Sequence, residues 1–127
     1  MTLDAIKTQV IFQTNNDKED LPDFEPHLTR YINEGYEILV FNYTGKHVAE
    51  ESTEYPSLSS NNDEPNLPEY AHRALADFAT YMVYRNGNAT KQNRGMAYYS
   101  TFLQMVSQLK FESGGVTRRQ FTNLYSR

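Results

Sequence analysis

The sequence predicts a mainly α protein: a small bundle of about four helices with a long acidic loop and a flexible C-terminal tail. Three observations predict it. Residues 67–110 read as two amphipathic helices joined by the turn Asn86-Gly87-Asn88. Apolar residues recur at steps of three and four in residues 3–10 (Leu3, Ile6, Val10) and 24–43 (Phe24, Leu28, Ile32, Gly35, Leu39, Tyr43). Between these halves, residues 44–66 carry Gly45, Pro56, Pro65, a run of Ser and Thr, and a block of acids that breaks the periodicity. The chain accordingly divides into a helical domain, residues 1–110 with the loop 44–67, and a tail, residues 111–127, that orders on a partner.

Each element has a local cause. Thr2 is a good N-cap, and Asp4 complements the positive end of a helix that runs to about Gln13. Asn15-Asn16-Asp17 then turns the chain. In residues 22–43, Pro22 and Pro26 must lie at or before a first helical turn, because a later proline lacks a donor and clashes. Gly35 costs about 1 kcal/mol in mid-helix unless it admits a close neighbour. The competing reading ends this helix at Gly35 and makes residues 36–41 a strand, but no partner strand is evident. Pro68 and Glu69 open the next helix, with Ala71, Leu75, Phe78, Ala79 and Met82 inward. Glu69–Arg73 and Arg73–Asp77 read as i,i+4 pairs on its wet side. Thr90 is placed to cap the last helix, whose stripe is Tyr99, Phe102, Leu103, Val106 and Leu109. Ser113-Gly114-Gly115 releases the tail, in which Phe121, Leu124 and Tyr125 are spaced for a further turn or two.

Composition narrows the function classes. At 127 residues the chain suits one domain, and with no Cys it has neither disulfides nor thiolate metal ligands. Residues 1–12 lack the basic start of a signal peptide, and the longest apolar run, residues 38–41, is far short of a membrane span. Ten Tyr and no Trp suit surfaces half-buried against a partner, since a tyrosine ring buries while its hydroxyl stays wet. The net charge of -4 is unevenly spread. Residues 50–69 hold six acids (Glu50, Glu51, Glu54, Asp63, Glu64, Glu69) and no Lys or Arg, whereas residues 85–94 hold Arg85, Lys91 and Arg94 and no acid. Such asymmetry lets copies meet with opposite patches facing.

No catalytic constellation stands out. His27, His47 and His72 lie on different segments without the i,i+4 pairing of a helical metal site, and no nucleophile elbow, phosphate loop or dinucleotide fingerprint is present. The expectation is a non-enzyme without cofactor or metal. Arg85, Lys91 and Arg94, with Asn86, Asn88, Gln92 and Asn93, offer a small phosphate-binding patch, so a small helical DNA-binding or regulatory protein is the alternative.

Several stretches carry a resemblance. They are residues 7–17 (KTQVIFQTNND), Pro26-His27-Leu28, Tyr31-Ile32-Asn33-Glu34-Gly35-Tyr36, Leu67-Pro68-Glu69, residues 79–82 and Tyr84-Arg85-Asn86-Gly87-Asn88. With them the chain resembles small proteins of phages and prophages of Gram-positive bacteria. More broadly, it is similar to the head–tail connector (adaptor) proteins of long-tailed phages. The resemblance implies a structural virion protein at the neck, forming a ring of about twelve copies with itself between the portal and a stopper or tail-completion protein, around a DNA channel. It further implies that the tail engages the portal, which here means Arg118, Arg119, Phe121, Leu124 and Tyr125. The loop acids Glu50, Glu51, Glu54, Asp63 and Glu64 would face the channel or a neighbouring subunit, and Arg85, Asn86, Asn88, Lys91 and Arg94 would form a subunit interface.

Overall fold

A computed structural model of the chain describes the backbone of residues 1–125 and the side chains of residues 1–113. Helix α1 spans Leu3–Gln13, and a 3-10 segment, Asn15–Asp20, leads into the single turn α2, Leu21–Phe24. A second 3-10 turn, Glu25–His27, precedes α3, Leu28–Thr44. After the long loop come α4, Glu69–Tyr84, and α5, Ala89–Tyr125. The helical bundle is thus as the periodicity predicts.

Local chemistry accounts for the boundaries. The Thr2 hydroxyl accepts the Ala5 N–H at 3.2 Å, capping α1 as expected. Pro22 and Pro26 each occupy an opening position, where a missing N–H costs nothing. Helix α3 continues straight through Gly35 and residues 36–41, so the strand reading of that segment is overturned. Tyr36, Leu39 and Val40 are fully buried at helical spacing, and no strand forms among the described residues. Gly45 ends α3 in the left-handed conformation, with φ of 77°. At the start of α5 the cap is Asn88 rather than Thr90: its Oδ1 accepts the Lys91 N–H at 3.0 Å.

Gly35 marks the closest helix approach. A Cβ there would lie 3.0 Å from Cδ2 and 3.1 Å from Cβ of Phe78 on α4. Phe78 in turn meets the Phe102 ring of α5 at 4.8 Å, so one α4 side chain bridges α3 and α5. The predicted inner face of α4 (Ala71, Leu75, Phe78, Ala79, Met82) is buried throughout. The stripe expected on α5 divides: Phe102 and Leu109 are buried, Tyr99 and Val106 pack at the edge, and Leu103 points outward, 43% exposed.

Two further expectations need correction. Asp77 is not on the wet side of α4. It is buried at 7% exposure, because α1 covers that face and its Gln13 amide donates to Asp77 Oδ1 at 2.8 Å. Nor does the helix stop at Ser113-Gly114-Gly115, since the backbone of α5 is helical through it to Tyr125. A glycine costs a helix only about 1 kcal/mol, which does not by itself terminate one.

Helices α4 and α5 form an antiparallel hairpin closed at both ends. The turn at residues 85–88 joins one end, and at the other the Tyr70 hydroxyl donates to the Glu112 carboxylate. Helix α4 is 16 residues long and α5 is 37. At 1.5 Å per residue that is about 24 Å against about 55 Å, so α5 outruns its partner beyond Glu112.

Gly35→Ala tests the close approach. Phe78 cannot retreat, because the Phe102 and Tyr81 rings back it. Overpacking costs about 1–3 kcal/mol and the gain in helix propensity returns about 1, so the variant should unfold about 1 kcal/mol more easily in urea. An unchanged or raised midpoint would show that the contact is slack.

Candidate interaction surface

The basic stretch that follows α4 is largely satisfied within the chain. Lys91 Nζ lies 2.9 Å from Asp20 Oδ2, and Arg94 NH1 lies 3.0 Å from Asp17 Oδ2. The Tyr84 hydroxyl donates to the same Asp17 oxygen at 2.7 Å, and burial together with that bond pushes its pKa up. Asp17 is itself buried. One carboxylate therefore ties the 3-10 segment to the end of α4 and the start of α5. Asn88 is occupied as the α5 cap, and Asn86 lines an adjoining cleft. Among the described residues Arg85 is exposed and makes no ion pair. The five residues do cluster at one corner, but two of the three bases already hold acids. Three charges were a shallow footprint for DNA, and one unpaired charge is shallower still.

The acids that neutralise them, Asp17 and Asp20, lie in an acidic segment. Residues 17–25 contain Asp17, Glu19, Asp20, Asp23 and Glu25 against the single base Lys18. Charge counted along residues 17–25 marks an acidic patch denser than the loop's.

The long loop is packed rather than loose. Asn33 of α3 clamps Leu58 at both backbone atoms, donating to its oxygen at 2.9 Å and accepting from its nitrogen at 2.8 Å, and Leu58 is buried. Asp63 accepts the Ser59 and Ser60 N–H groups at 2.8 Å, which holds its carboxyl below the usual range. The Asp63 and Asn61 carbonyls in turn accept the Leu3 and Asp4 N–H groups, capping α1. The Glu54 carboxylate pairs with Lys46, and Glu64 faces the Met1 ammonium at 3.5 Å. Of the five acids expected to face a channel or a neighbour, only Glu50 and Glu51 are exposed without such a role among the described residues. The loop brings its own countercharge, so its repulsion of phosphate is weaker than six acids without a base would give.

His72 has partners at both ring nitrogens. The Met1 ammonium lies 2.8 Å from His72 Nδ1 and 2.8 Å from Glu69 Oε1, while His72 Nε2 donates to the Leu67 carbonyl at 2.9 Å. Glu64, Glu69 and His72 are the single group of three metal-capable side chains among the described residues, with donor atoms within 4.8 Å of one another. The chain's own ammonium fills the space between them, and its bond to Glu69 holds that carboxyl below the usual range. His47 instead pairs with Glu37, at 2.6 Å, and His27 lies beside the Tyr31 ring.

The tail residues Arg118, Arg119, Phe121, Leu124 and Tyr125 lie outside the described side chains. Among the mostly polar outward residues of α5, Met96 and Leu103 are large and apolar. Met96 is 52% exposed and lies seven residues, two turns, before the exposed Leu103, so the two share a face. Neither protein-family models, nor curated proteins, nor solved structures give a match to this chain.

Asp77 yields a pH prediction. Burial raises its carboxyl pKa above the ordinary value of 3.8, with the Gln13 bond and the Arg73 charge opposing. The protonated form is thus the one the fold favours. Its contribution is complete below pH 3.8 and is lost as pH rises through the folded value. At pH 7 the charged carboxylate is a net cost. Asp77→Asn keeps an oxygen for Gln13 and removes that charge, so it should raise the melting temperature at pH 7, with a gain that shrinks towards pH 3. A lower melting temperature at pH 7 would contradict this.

Proposed function

We propose that this chain is a structural subunit of a phage particle, a head–tail connector (adaptor) that forms a ring between the portal and a stopper or tail-completion protein, around the DNA path. The resemblance of its sequence supplies the assembly. The observation that carries the reading is the form of α5: a helix that outruns its hairpin partner and turns Met96 and Leu103 outward along one face. Exposed apolar side chains on a rigid helix, not a cleft with reacting groups, are what a subunit of a closed ring needs.

The internal ion pairs support the same reading. Asp17–Arg94 and Asp20–Lys91 lock the 3-10 segment to the hairpin corner, which fixes the angle at which α5 leaves the body. In a ring that angle sets the spacing of neighbours. A DNA-binding module would instead keep such bases free for phosphate.

The test is binding to portal-bearing heads that lack tails. The wild-type chain should co-sediment with them. Met96→Glu combined with Leu103→Glu should leave the melting temperature unchanged, because both side chains are already exposed, and should reduce the bound amount at least about tenfold by removing apolar contact. Wild-type chain that fails to bind such heads would remove the connector reading, and full binding by the double variant would remove the α5 face from it.

A further inference from the structure

The cleft beside the hairpin corner has two properties that together identify an occupant. It encloses about 250 Å³ between the Asn15–Asp20 segment, α2 and the end of α4. Phe24 and Met82 form a buried apolar floor, with Tyr31 and Val83 at the sides, and Asp20 and Asp23 stand at the rim. Asp20 already holds Lys91, whereas Asp23 is exposed and makes no ion pair among the described residues, as is true of Glu19, whose charge acts on Lys91. An apolar floor under an unneutralised acidic rim fits a segment that presents an aromatic or aliphatic side chain next to guanidinium groups.

The chain contains such a segment. Of its 12 bases, three (Arg118, Arg119, Arg127) follow Ser113, with no acid among them. That leaves nine bases against 16 acids in residues 1–113, a net charge of -7 facing a terminus of +3. Arg118-Arg119-Gln120-Phe121 joins two guanidinium groups to one aromatic ring.

This segment cannot reach the cleft of its own chain. Lys91 borders the cleft at the start of α5. From there to Ser113 is 22 helical residues, about 33 Å at 1.5 Å per residue. Even fully extended, the six residues from Ser113 to Arg119 span only about 21 Å. Because α5 continues as a helix to Tyr125, the basic pair stands further still from the cleft, so the occupant must come from another molecule.

Accordingly, we propose that the cleft receives the Arg118–Phe121 segment of a second copy of this chain, with the arginines at Asp23 and the nearby Glu19 and Phe121 over Phe24 and Met82. The contact is head-to-tail: each copy offers one cleft and one basic segment, so copies chain together and close into a ring when the rotation permits. It rests on the ring reading above and names the surfaces that join neighbours. The acidic corner and the basic terminus, opposite in sign and held far apart, become the two halves of one interface.

The absence of cysteine from the chain makes the test clean. Full-length Asp23→Cys and Gln120→Cys variants, distinguishable by mass, are mixed under mild oxidation. A disulfide between one chain of each kind is expected. Adding Arg118→Glu and Arg119→Glu to the Gln120→Cys chain, or raising the salt to about 1 M, should lower its yield at least about tenfold, since exposed charge pairs are screened. Glu19→Cys, beside the rim, serves as a second position should Asp23→Cys melt early. A yield that ignores charge reversal, or that is matched by Ser100→Cys on the exposed face of α5, overturns the proposal. So does a chain carrying both cysteines that closes on itself as a monomer. If the disulfide fails while wild-type chain still binds tail-less heads, this contact is removed and the ring reading stands; loss of head binding removes the ring reading instead.

Discussion

Phe78 resting on Gly35 is the contact on which the rest of the structure depends. With no side chain at Gly35, α3 and α4 approach closely enough for the Phe78 ring to fill the gap, and the far side of that ring meets Phe102 of α5 at 4.8 Å. Within a turn of Phe78, the Gln13 amide bridges from α1, donating to Asp77 and accepting from Thr80 at 3.0 Å. Four helices are therefore aligned within two turns of α4. A larger residue at Gly35 would push α4 away from α3. The displacement would reach α5, the corner where Asp17 and Asp20 hold its first turns, and the cleft beside them.

How far the sequence disclosed this structure follows from the range of each interaction. Helical periodicity is local, so the Thr2 cap, the inner face of α4 and the helical course of α3 were legible, and the cost of Gly35 correctly implied a close neighbour. Interactions between distant residues were not. Asp17 and Arg94 are 77 positions apart and Gln13 and Asp77 are 64 apart, and nothing in the local pattern of either partner announces the other. Asp77 therefore read as a wet-side partner of Arg73, and Lys91 and Arg94 as open charges. The packing of the loop is hidden for a related reason. Its composition is that of a solvated linker, yet Asn33, Tyr36 and the first turn of α1 supply hydrogen-bond partners that no count of Ser, Pro and Glu contains. The run Ser113-Gly114-Gly115 signals a stop by composition, but glycine only weakens a helix whose neighbouring residues continue it.

The corner and the loop share one consequence. Charges that looked available to partners are mostly spent on holding the chain together, and what remains outward includes Met96 and Leu103 of α5, the unpaired acids Glu19, Asp23 and Glu25, and a terminus whose sequence is basic. On the proposed reading these are complementary parts of one repeating contact. The arrangement also answers a hazard of head-to-tail association, which produces open fibres unless the angle between copies closes. Here that angle is set by buried or half-buried ion pairs at the root of α5, where geometry is better defined than in a flexible linker.

The central claim is that the chain works as one of many identical copies in a ring at the neck of a particle. Its most direct test is the copy number of the chain in purified, DNA-filled particles, measured by quantitative mass spectrometry and scaled to the major capsid protein. A closed ring predicts an integral value, about twelve by the usual symmetry of such necks. A chain absent from intact particles, or present at well under one copy in each, would contradict the account.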